Sequence, residues 1–430
     1  MQPLDTSSLA SPLSSISPAD PADALSFLQL AARLLVEYNI RTELIRRRLA
    51  EAAQAIGLPI TVAVGYRTVT IYTAHGSHVH AQAPEFRINI AVSGRVNRTL
   101  DDLAAGKLDL ARAHAELAAV ERQAGRHNRW WLATLFGLAA VALAALFSGD
   151  AAAMAVIGVS SAAGLLVRQE MARRHVMLFA LPFTAALIGS LLGGAVIARG
   201  WTKTPGICLI VPALMLVPGP HLINALYDIV ENHMQTGVPR LALACTILLA
   251  AAMGIFLGGW VTLGMTTVPP WHAPADSIPL WLDVVLAGIA ACGFGAFYNA
   301  PWRVLWTSIA CGMVGHGIRY LCLSHGVSLE MLTFFACVAI GVMASQMLRK
   351  LRVPFAAVAF AGAVPMMPGV LMFRGIGGAM DIAMAGSDAT PELVASTLAS
   401  LFKSGFVVGA MGLGLLLGAK SAEMVTRSRG

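Results

Sequence analysis

The chain has 430 residues, of which 57% are hydrophobic and 12% charged, with a formal net charge of +7 and a mean hydropathy of +0.70. Soluble globular domains carry roughly 25% charged residues, so a large part of this chain must face lipid. The basic residues adjoin apolar runs and form no continuous stripe, which argues against nucleic acid as a partner. Six cysteines lie in apolar segments without the spacing of a disulfide framework or zinc site, and we expect no cofactor.

The first 126 residues predict a small soluble α+β domain behind a disordered lead-in. Residues 1–22 are rich in Ser, Pro and Ala and contain neither basic residues nor an apolar core, so they do not resemble a signal peptide. Within residues 23–126, helices are expected at 25–38, 42–56, 95–104 and 109–123. The runs "ITVAVGYRTVTIYTA" and "FRINIAV" predict strands. We interpret the histidines of "HGSHVH" as an exposed turn, because no fourth zinc ligand accompanies His75, His78 and His80.

From Trp130 onward the chain consists of apolar runs near the roughly 20 residues that a helix needs to cross a bilayer. Ten spans are predicted, at about 130–147, 152–167, 175–198, 205–224, 240–264, 280–298, 303–322, 327–348, 353–373 and 393–418. They divide the chain into a first membrane unit (127–265), an extracytoplasmic linker (266–279), a second membrane unit (280–420) and a cytoplasmic tail (421–430). The expected fold class is therefore membrane all-α, with about ten transmembrane helices behind the α+β domain.

Lys and Arg residues in the short connections predict the orientation. With the N-terminal domain in the cytoplasm, thirteen basic residues fall in cytoplasmic connections, against Arg199, Lys203 and Arg374 on the opposite side. We therefore expect a multi-pass protein of the inner (plasma) membrane with both termini in the cytoplasm. A homo-oligomer is compatible with the sequence, which neither requires nor excludes one.

A shift of 150 residues superposes landmarks of the two membrane units. It aligns Trp131 with Trp281, Phe147 with Phe297, His175 with His325, Arg199 with Arg349, Pro218-Gly219 with Pro368-Gly369, and Gly259 with Gly409. Each unit would hold five spans, and an odd number forces the second copy into the opposite orientation. The sequence therefore predicts an inverted repeat, an architecture that recurs in secondary transporters.

Both units carry a proline-glycine helix breaker at the corresponding place, followed by polar residues at helical spacing. Interrupted helices at matching positions of two repeats point to a substrate site. The predicted substrate-binding residues are Pro218, Gly219, His221, Asn224, Asp228, Pro368, Gly369 and Arg374. In this interpretation Arg374 holds a carboxylate, while Asp228 or Glu231 receives an amine or a proton. The predicted proton-coupling residues are Asp228, Glu231 and Asp381.

Less specific interpretations of these residues stay open. The breakers are also compatible with two packing kinks, and Asp228 and Glu231 with a solvated face in a cytoplasmic loop. His316 and Arg319, near the end of the seventh span, form either an interfacial anchor or, for His316, a proton relay. Motifs for enzymes are absent from the sequence: it contains no phosphate-binding GxxxxGK[ST], no HExxH and no GxSxG, which argues against an enzyme or an ATP-driven pump.

Residues 24–263 resemble the threonine/serine exporter family through "RVNRTLDDLAAGKLDLARAHAEL", "LIVPALMLVPGPHLINALYDI" and Arg240. Residues 282–417 resemble its second membrane unit through "FYNAPWR" and "LRVPFAAVAFAGAVPMMPG". The resemblance implies proton-driven efflux of threonine and serine. Because similar halves also form dicarboxylate (succinate-type) exporters, that substrate class is the first alternative. A membrane ligand sensor without net flux is the second.

Overall fold

The computed structural model describes residues 20–74, 76–264, 278–351 and 355–427. Most of the predicted lead-in (1–22), almost all of the linker (266–279), part of the tail (421–430) and His75 lie outside the described residues.

The N-terminal unit, residues 20–124, combines four helices with one small sheet. Its elements are α1 (Pro21–Glu37), α2 (Thr42–Ala55), β1 (Ile60–Gly65), β2 (Thr68–Thr73), β3 (His78–Gln82), α3 (Ile90–Ala104) and α4 (Leu110–Gln123). The strands form an antiparallel sheet in the order β1-β2-β3, and β2 alternates so that Val69 and Ile71 face the helices. Asp109 caps α4 by accepting a hydrogen bond from the Arg112 N–H at 2.7 Å. The unit buries its own hydrophobic core.

Two local predictions in this unit are wrong. The run "FRINIAV" is not a strand: residues 86–89 have no regular structure, and Asn89 caps α3, which begins at Ile90. The Ile90 N–H donates to the Tyr298 carbonyl at 2.8 Å, so a contact with the second membrane unit replaces strand pairing there. His78 and His80 are exposed as expected, but they belong to β3 and not to a turn.

Twelve helices follow in the described part of the chain, and most of them are apolar around much of their circumference, as helices surrounded by lipid or other helices are. The first membrane unit contains α5 (Arg129–Leu146), α6 (Ala151–Arg173), α7 (Ala180–Ala198), α8 (Pro205–Leu214), α9 (Gly219–Val230) and α10 (Met234–Leu263). The second contains α11 (Leu280–Phe297), α12 (Trp302–Ser324), α13 (Leu329–Leu351), α14 (Phe355–Ala363), α15 (Gly369–Ala385) and α16 (Pro391–Arg427).

Among the described residues, seven helices are long and apolar enough to cross a membrane: α5, α6, α7, α10, α11, α13 and α16. The count rises to nine if α8 with α9 and α14 with α15 each form one span, bent by 63° in both cases. The seventh of the ten predicted spans, 303–322, is the continuous helix α12, but it is not among these nine. Arg303, His316 and Arg319 make it more polar than its neighbours.

The two membrane units have the same sequence of elements. The first five helices of the second unit begin 149 to 151 residues after their counterparts, while α16 begins 157 residues after α10. Small residues bring corresponding helices together: Gly254 and Gly258 seat α10 against α7, and Gly341 and Gly418 seat α13 against α16. The units join along α5 and α11, where Phe136 lies against Phe294 and Phe297.

Candidate functional site

The two bent helix pairs contact each other near their bends. Pro218 ends the first break and Pro368 the second, and each is followed by the glycine that begins the next helix. A Cβ atom on Gly219 would collide with the Phe360 ring of α14. A Cβ on Gly369 would lie 2.6 Å from Leu214 Cδ2 of α8. Each bend therefore packs on the first half-helix of the other unit, and no larger residue than glycine fits without movement.

The space between the bends is a small apolar pocket. Its lining residues are Leu143, Phe147, Leu214, Val217, Phe294, Phe360, Val364, Pro365, Met367 and Gly369. Neither Pro218 nor Pro368 offers a side chain that could cap the helix it precedes. The polar groups at this crossing therefore belong to the backbone, and the N-termini of α9 and α15 carry partial positive charge.

The polar face of α9 is buried against the N-terminal unit. His221, Asn224 and Asp228 have exposed fractions of 7%, 2% and 0%. Asn224 and Asp228 bond to residues 39–42, which lead from α1 into the first residue of α2 and which we call the 39–42 segment, while the His221 ring lies against Phe86. Asp228 is thus not the solvated loop residue of the alternative interpretation, although it lies nine residues, or about 13 Å, along the helix from Gly219.

Backbone groups of the 39–42 segment form hydrogen bonds with the polar side chains of this face. Asn224 Nδ2 donates to the Asn39 carbonyl at 2.6 Å, and the Thr42 N–H donates to Asp228 Oδ1 at 2.9 Å. Thr42 is the first residue of α2, and its N-cap residue, Arg41, makes no side-chain cap. Asp228 therefore supplies from another unit the carboxylate that the N-terminus of α2 lacks.

A buried arginine completes the cluster. Arg240 of α10 is 2% exposed; its Nη1 lies 2.9 Å from Asp228 Oδ2, and its Nη2 donates to the Ile40 carbonyl at 2.9 Å. The Phe86 ring lies 5.3 Å from the guanidinium and 6.0 Å from the His221 ring. Arg240 carries part of the family resemblance, but it was not predicted as a site residue. The available signal was its position inside an apolar helix, six residues after the start of α10.

A second layer of contacts surrounds the buried pair. Arg41 Nη1 lies 2.8 Å from Glu231 Oε1, the hydroxyls of Thr42 and Thr236 lie 2.8 Å apart, and His233 Nε2 lies 3.3 Å from Glu43 Oε2. Glu231 is the residue that ends α9, and its side chain is 16% exposed. Its partner in this structure is therefore an arginine of the N-terminal unit.

Several buried polar atoms at this junction have no hydrogen-bond partner among the described residues. They include His221 Nδ1, Asn224 Oδ1, Arg240 Nε and both polar side-chain atoms of Asn39, and the ion-paired Asp228 Oδ2 and Arg240 Nη1 make no hydrogen bond of good geometry either. Buried polar groups are normally paired, so such a group of unpaired atoms marks a place for polar groups of water or of a ligand. We call Asn224, Asp228, Arg240 and His221 the α9 cluster.

The predicted residues of the second unit lie elsewhere. Arg374 and Asp381 are on α15, five and twelve residues beyond Gly369, or about 7 Å and 18 Å along the helix axis. Both are partly buried, and Asp381 Oδ1 has no partner within the described part of the chain. The predicted substrate residues therefore occupy three places: the crossing of the bends, the α9 cluster and α15.

The structure also pairs two residues of the second unit. His316 Nδ1 of α12 lies 2.8 Å from Asp283 Oδ2 of α11, and their side chains are 2% and 6% exposed. The sequence predicted a role for His316 without a partner, and Asp283 was not predicted. The signal was an isolated carboxylate in the apolar run "LWLDVVLAGIAACGF".

Comparison with known proteins covers both membrane units. One threonine/serine exporter family model matches residues 26–261, and a second, described as "Threonine/Serine exporter, ThrE", matches residues 283–420. No solved structure matches the chain. The first match alone spans more than half of the 430 residues. The chain therefore belongs to the threonine/serine exporter family, with both family units fused in one multi-pass membrane polypeptide.

Proposed function

We propose that this chain exports threonine and serine across the inner membrane, and that the proton gradient drives the export. The observation that carries the proposal is the α9 cluster, in which an acid, a base and an amide are buried together beside the second half of a bent helix pair. Ionisable groups at such depth are costly unless they are paired or used, and they commonly mark a transport pathway.

The paired charges suit an amino acid. Asp228 would receive the α-ammonium group, while Arg240 Nη2 and Asn224 Nδ2 would donate to the carboxylate. His221, with an unpaired ring nitrogen, would bond the side-chain hydroxyl that threonine and serine share. A dicarboxylate would place one of its two negative charges beside Asp228, and this repulsion favours the amino acids over the succinate-type alternative.

The 39–42 segment imitates such a substrate. The Asn39 and Ile40 carbonyls take the two donors that a carboxylate would use, and the Thr42 N–H takes the carboxylate that an ammonium would use. This conformation therefore has its α9 cluster covered from the side of the N-terminal unit. Loading from the cytoplasm requires the segment to withdraw, and the substrate then replaces the same hydrogen bonds.

The remaining predicted residues continue the route. His221 is only two residues from Gly219, where the positive N-termini of α9 and α15 would take over the substrate carboxylate. Arg374 and Asp381 follow along α15, so the predicted residues form a path and not one pocket. With each bent pair as one span and α12 as another, each unit crosses five times. The units would then be inverted, both termini would be cytoplasmic, and exchange of their conformations would alternate access.

Transport by the purified protein in proteoliposomes tests the proposal. We expect exchange of labelled threonine and serine but not succinate, uphill transport when a pH gradient is imposed, and loss of both activities in Asp228→Asn and Arg374→Ala. A Gly377→Ala variant is a control on α15, because its added Cβ meets nothing within 4 Å. Exchange of succinate alone would favour the dicarboxylate exporter, and threonine binding without flux would favour the sensor.

A further inference from the structure

Asp283 and His316 form a buried acid–imidazole pair that the substrate route does not use. The pair joins the first turn of α11 to the last third of α12, through the 2.8 Å contact between Asp283 Oδ2 and His316 Nδ1. The second ring nitrogen, Nε2, is buried and has no hydrogen-bond partner among the described residues. The pair thus has an unused proton position inside the protein.

The first membrane unit folds without this pair. Helices α5 and α6 begin 151 residues before α11 and α12, so Asp283 corresponds to Leu132 and His316 to Leu165. Leu165 is buried in the core of the first unit, and Leu132 is partly buried against that core. Burial of two ionisable groups costs desolvation that well-packed apolar residues avoid. Helix packing therefore does not require the pair, and another role must account for it.

The pair adjoins the second bend. Gly315 precedes His316, and a Cβ built on Gly315 would lie 3.2 Å from the Met366 methyl group in the turn between α14 and α15. The preceding turn of α12 also approaches the bend, since a Cβ on Gly312 would lie 3.5 Å from the Gly362 carbonyl. A change of charge or hydrogen bonding at His316 would therefore act directly beside the element that must move during transport.

Other charged groups surround the pair unequally. Arg319, one turn after His316, interacts electrostatically with Asp283. At this end, the other ionisable side chains on the helices packed around the pair are Tyr320 and Cys322 of α12 and Glu330 of α13, while α14 carries none; Arg129 of α5 lies at the opposite end of α11, near the α11–α12 connection. Asp283 therefore has a permanent cationic neighbour in Arg319, and His316 contacts the Asp283 carboxylate directly.

We propose that the Asp283–His316 pair is the proton-binding site that couples export to the gradient. The proposal rests on the proton-driven export proposed above. A proton arriving from the α11 N-terminus, the end that follows the predicted extracytoplasmic linker, converts the imidazole to an imidazolium paired with the Asp283 carboxylate. The new Nε2–H then needs an acceptor, and the bend, where the α-helical bonds of α14 stop, leaves carbonyl groups free. Release of this proton to the cytoplasm restores the neutral imidazole ring of His316.

The test replaces the pair with the residues at the corresponding positions of the first unit. The double variant Asp283→Leu/His316→Leu installs the leucine pair of α5 and α6, and His316→Gln keeps a polar side chain that does not titrate. Ser308→Ala is the control on α12, because it removes a buried hydroxyl that bonds the Val358 carbonyl and not the pair. Folding of each variant is checked by gel filtration and thermal unfolding before reconstitution.

Two transport modes separate the outcomes. One pH unit supports about tenfold accumulation for each proton carried, so wild type and Ser308→Ala should reach that ratio. The double variant and His316→Gln should keep threonine exchange, because exchange moves no net protons. Under the same pH gradient, neither variant should accumulate threonine. Uphill transport in His316→Gln would overturn the role of the pair while leaving the exporter intact. Exchange without any gradient-driven accumulation in wild type would instead refute the proton drive, and the proposed pair with it.

Discussion

Asp228 of α9 and Arg240 of α10 form an ion pair, with Oδ2 and Nη1 2.9 Å apart and both side chains almost fully buried. Removing one member of such a pair leaves an uncompensated charge and costs about 3–5 kcal/mol, whereas an apolar pair of similar volume is often tolerated. We therefore predict that Arg240→Ala lowers the unfolding temperature strongly, and that Asp228→Leu/Arg240→Met recovers most of the loss without recovering transport.

This comparison separates packing from substrate binding. Differential scanning fluorimetry in detergent gives the stability, and threonine exchange in proteoliposomes gives the activity. If the apolar double variant transported threonine normally, the pair would be structural and the α9 cluster would not bind substrate.

The proposed export requires the 39–42 segment to leave the α9 cluster during each transport cycle. The Thr42 and Thr236 hydroxyl oxygens lie 2.8 Å apart, so Thr42→Cys/Thr236→Cys should form a disulfide on mild oxidation. We expect the oxidised protein to exchange no threonine, dithiothreitol to restore exchange, and added threonine to slow disulfide formation because it competes with the segment.

A second cysteine pair provides the control. Thr70 of β2 and His80 of β3 lie directly opposite each other within the N-terminal unit, so linking them leaves that unit free to move as a whole. Thr70→Cys/His80→Cys should therefore crosslink without loss of transport. Full activity in the oxidised Thr42–Thr236 protein would show that the segment does not have to move.

The crossing of the bends tolerates only glycine. In Gly219→Ala the added methyl group enters the space of the Phe360 ring, and such overpacking costs about 1–3 kcal/mol. We predict that exchange is lost or strongly reduced in this variant, and that Phe360→Ala in the same chain restores part of it by making room. Exchange rates at equal reconstituted protein measure the effect, with Gly377→Ala as the neutral glycine replacement.

Asp150, outside the membrane-spanning segments, fastens the α5–α6 loop to the α7–α8 loop. Burial alone would raise its pKa, but hydrogen bonds from the Ala153 and Lys203 N–H groups and the Thr202 and Thr204 hydroxyls lower the pKa below the usual 3.8. A lowered native pKa means that the ionised carboxylate stabilises the fold above the unfolded-state pKa, and that this contribution is lost as the pH falls through the native value.

We predict that Asp150→Asn loses about 1.5–3 kcal/mol at pH 7, the usual value for bonds to a charged group, and that the difference from wild type shrinks below pH 4. Thermal unfolding between pH 3 and 7 measures it. A constant difference for Asp150→Asn across this range would mean that the charge is not what fastens the loops.

The sequence alone determined the features whose causes are local. Apolar runs of bilayer length predicted the helices, and Pro218-Gly219 and Pro368-Gly369 predicted both breaks, because a missing N–H and a missing Cβ act at their own positions. The constant spacing of about 150 residues predicted two units with matching helices. The sequence also predicted the polar face of α9, because residues three or four apart lie on one side of a helix.

Only the tertiary structure decided what those side chains meet. Thr42 and Asp228 are 186 residues apart in the chain, and the helices that hold Asp283 and His316 had to be packed before the two met. The run "FRINIAV" misled for the same reason: its apolar, β-branched residues favour a strand, but Ile90 bonds Tyr298 and the chain enters a helix. Local propensity contributes tenths of a kcal/mol per residue, whereas one buried, charge-assisted contact contributes about 1.5–3 kcal/mol. Contacts between distant segments therefore outweigh local propensity where the two disagree.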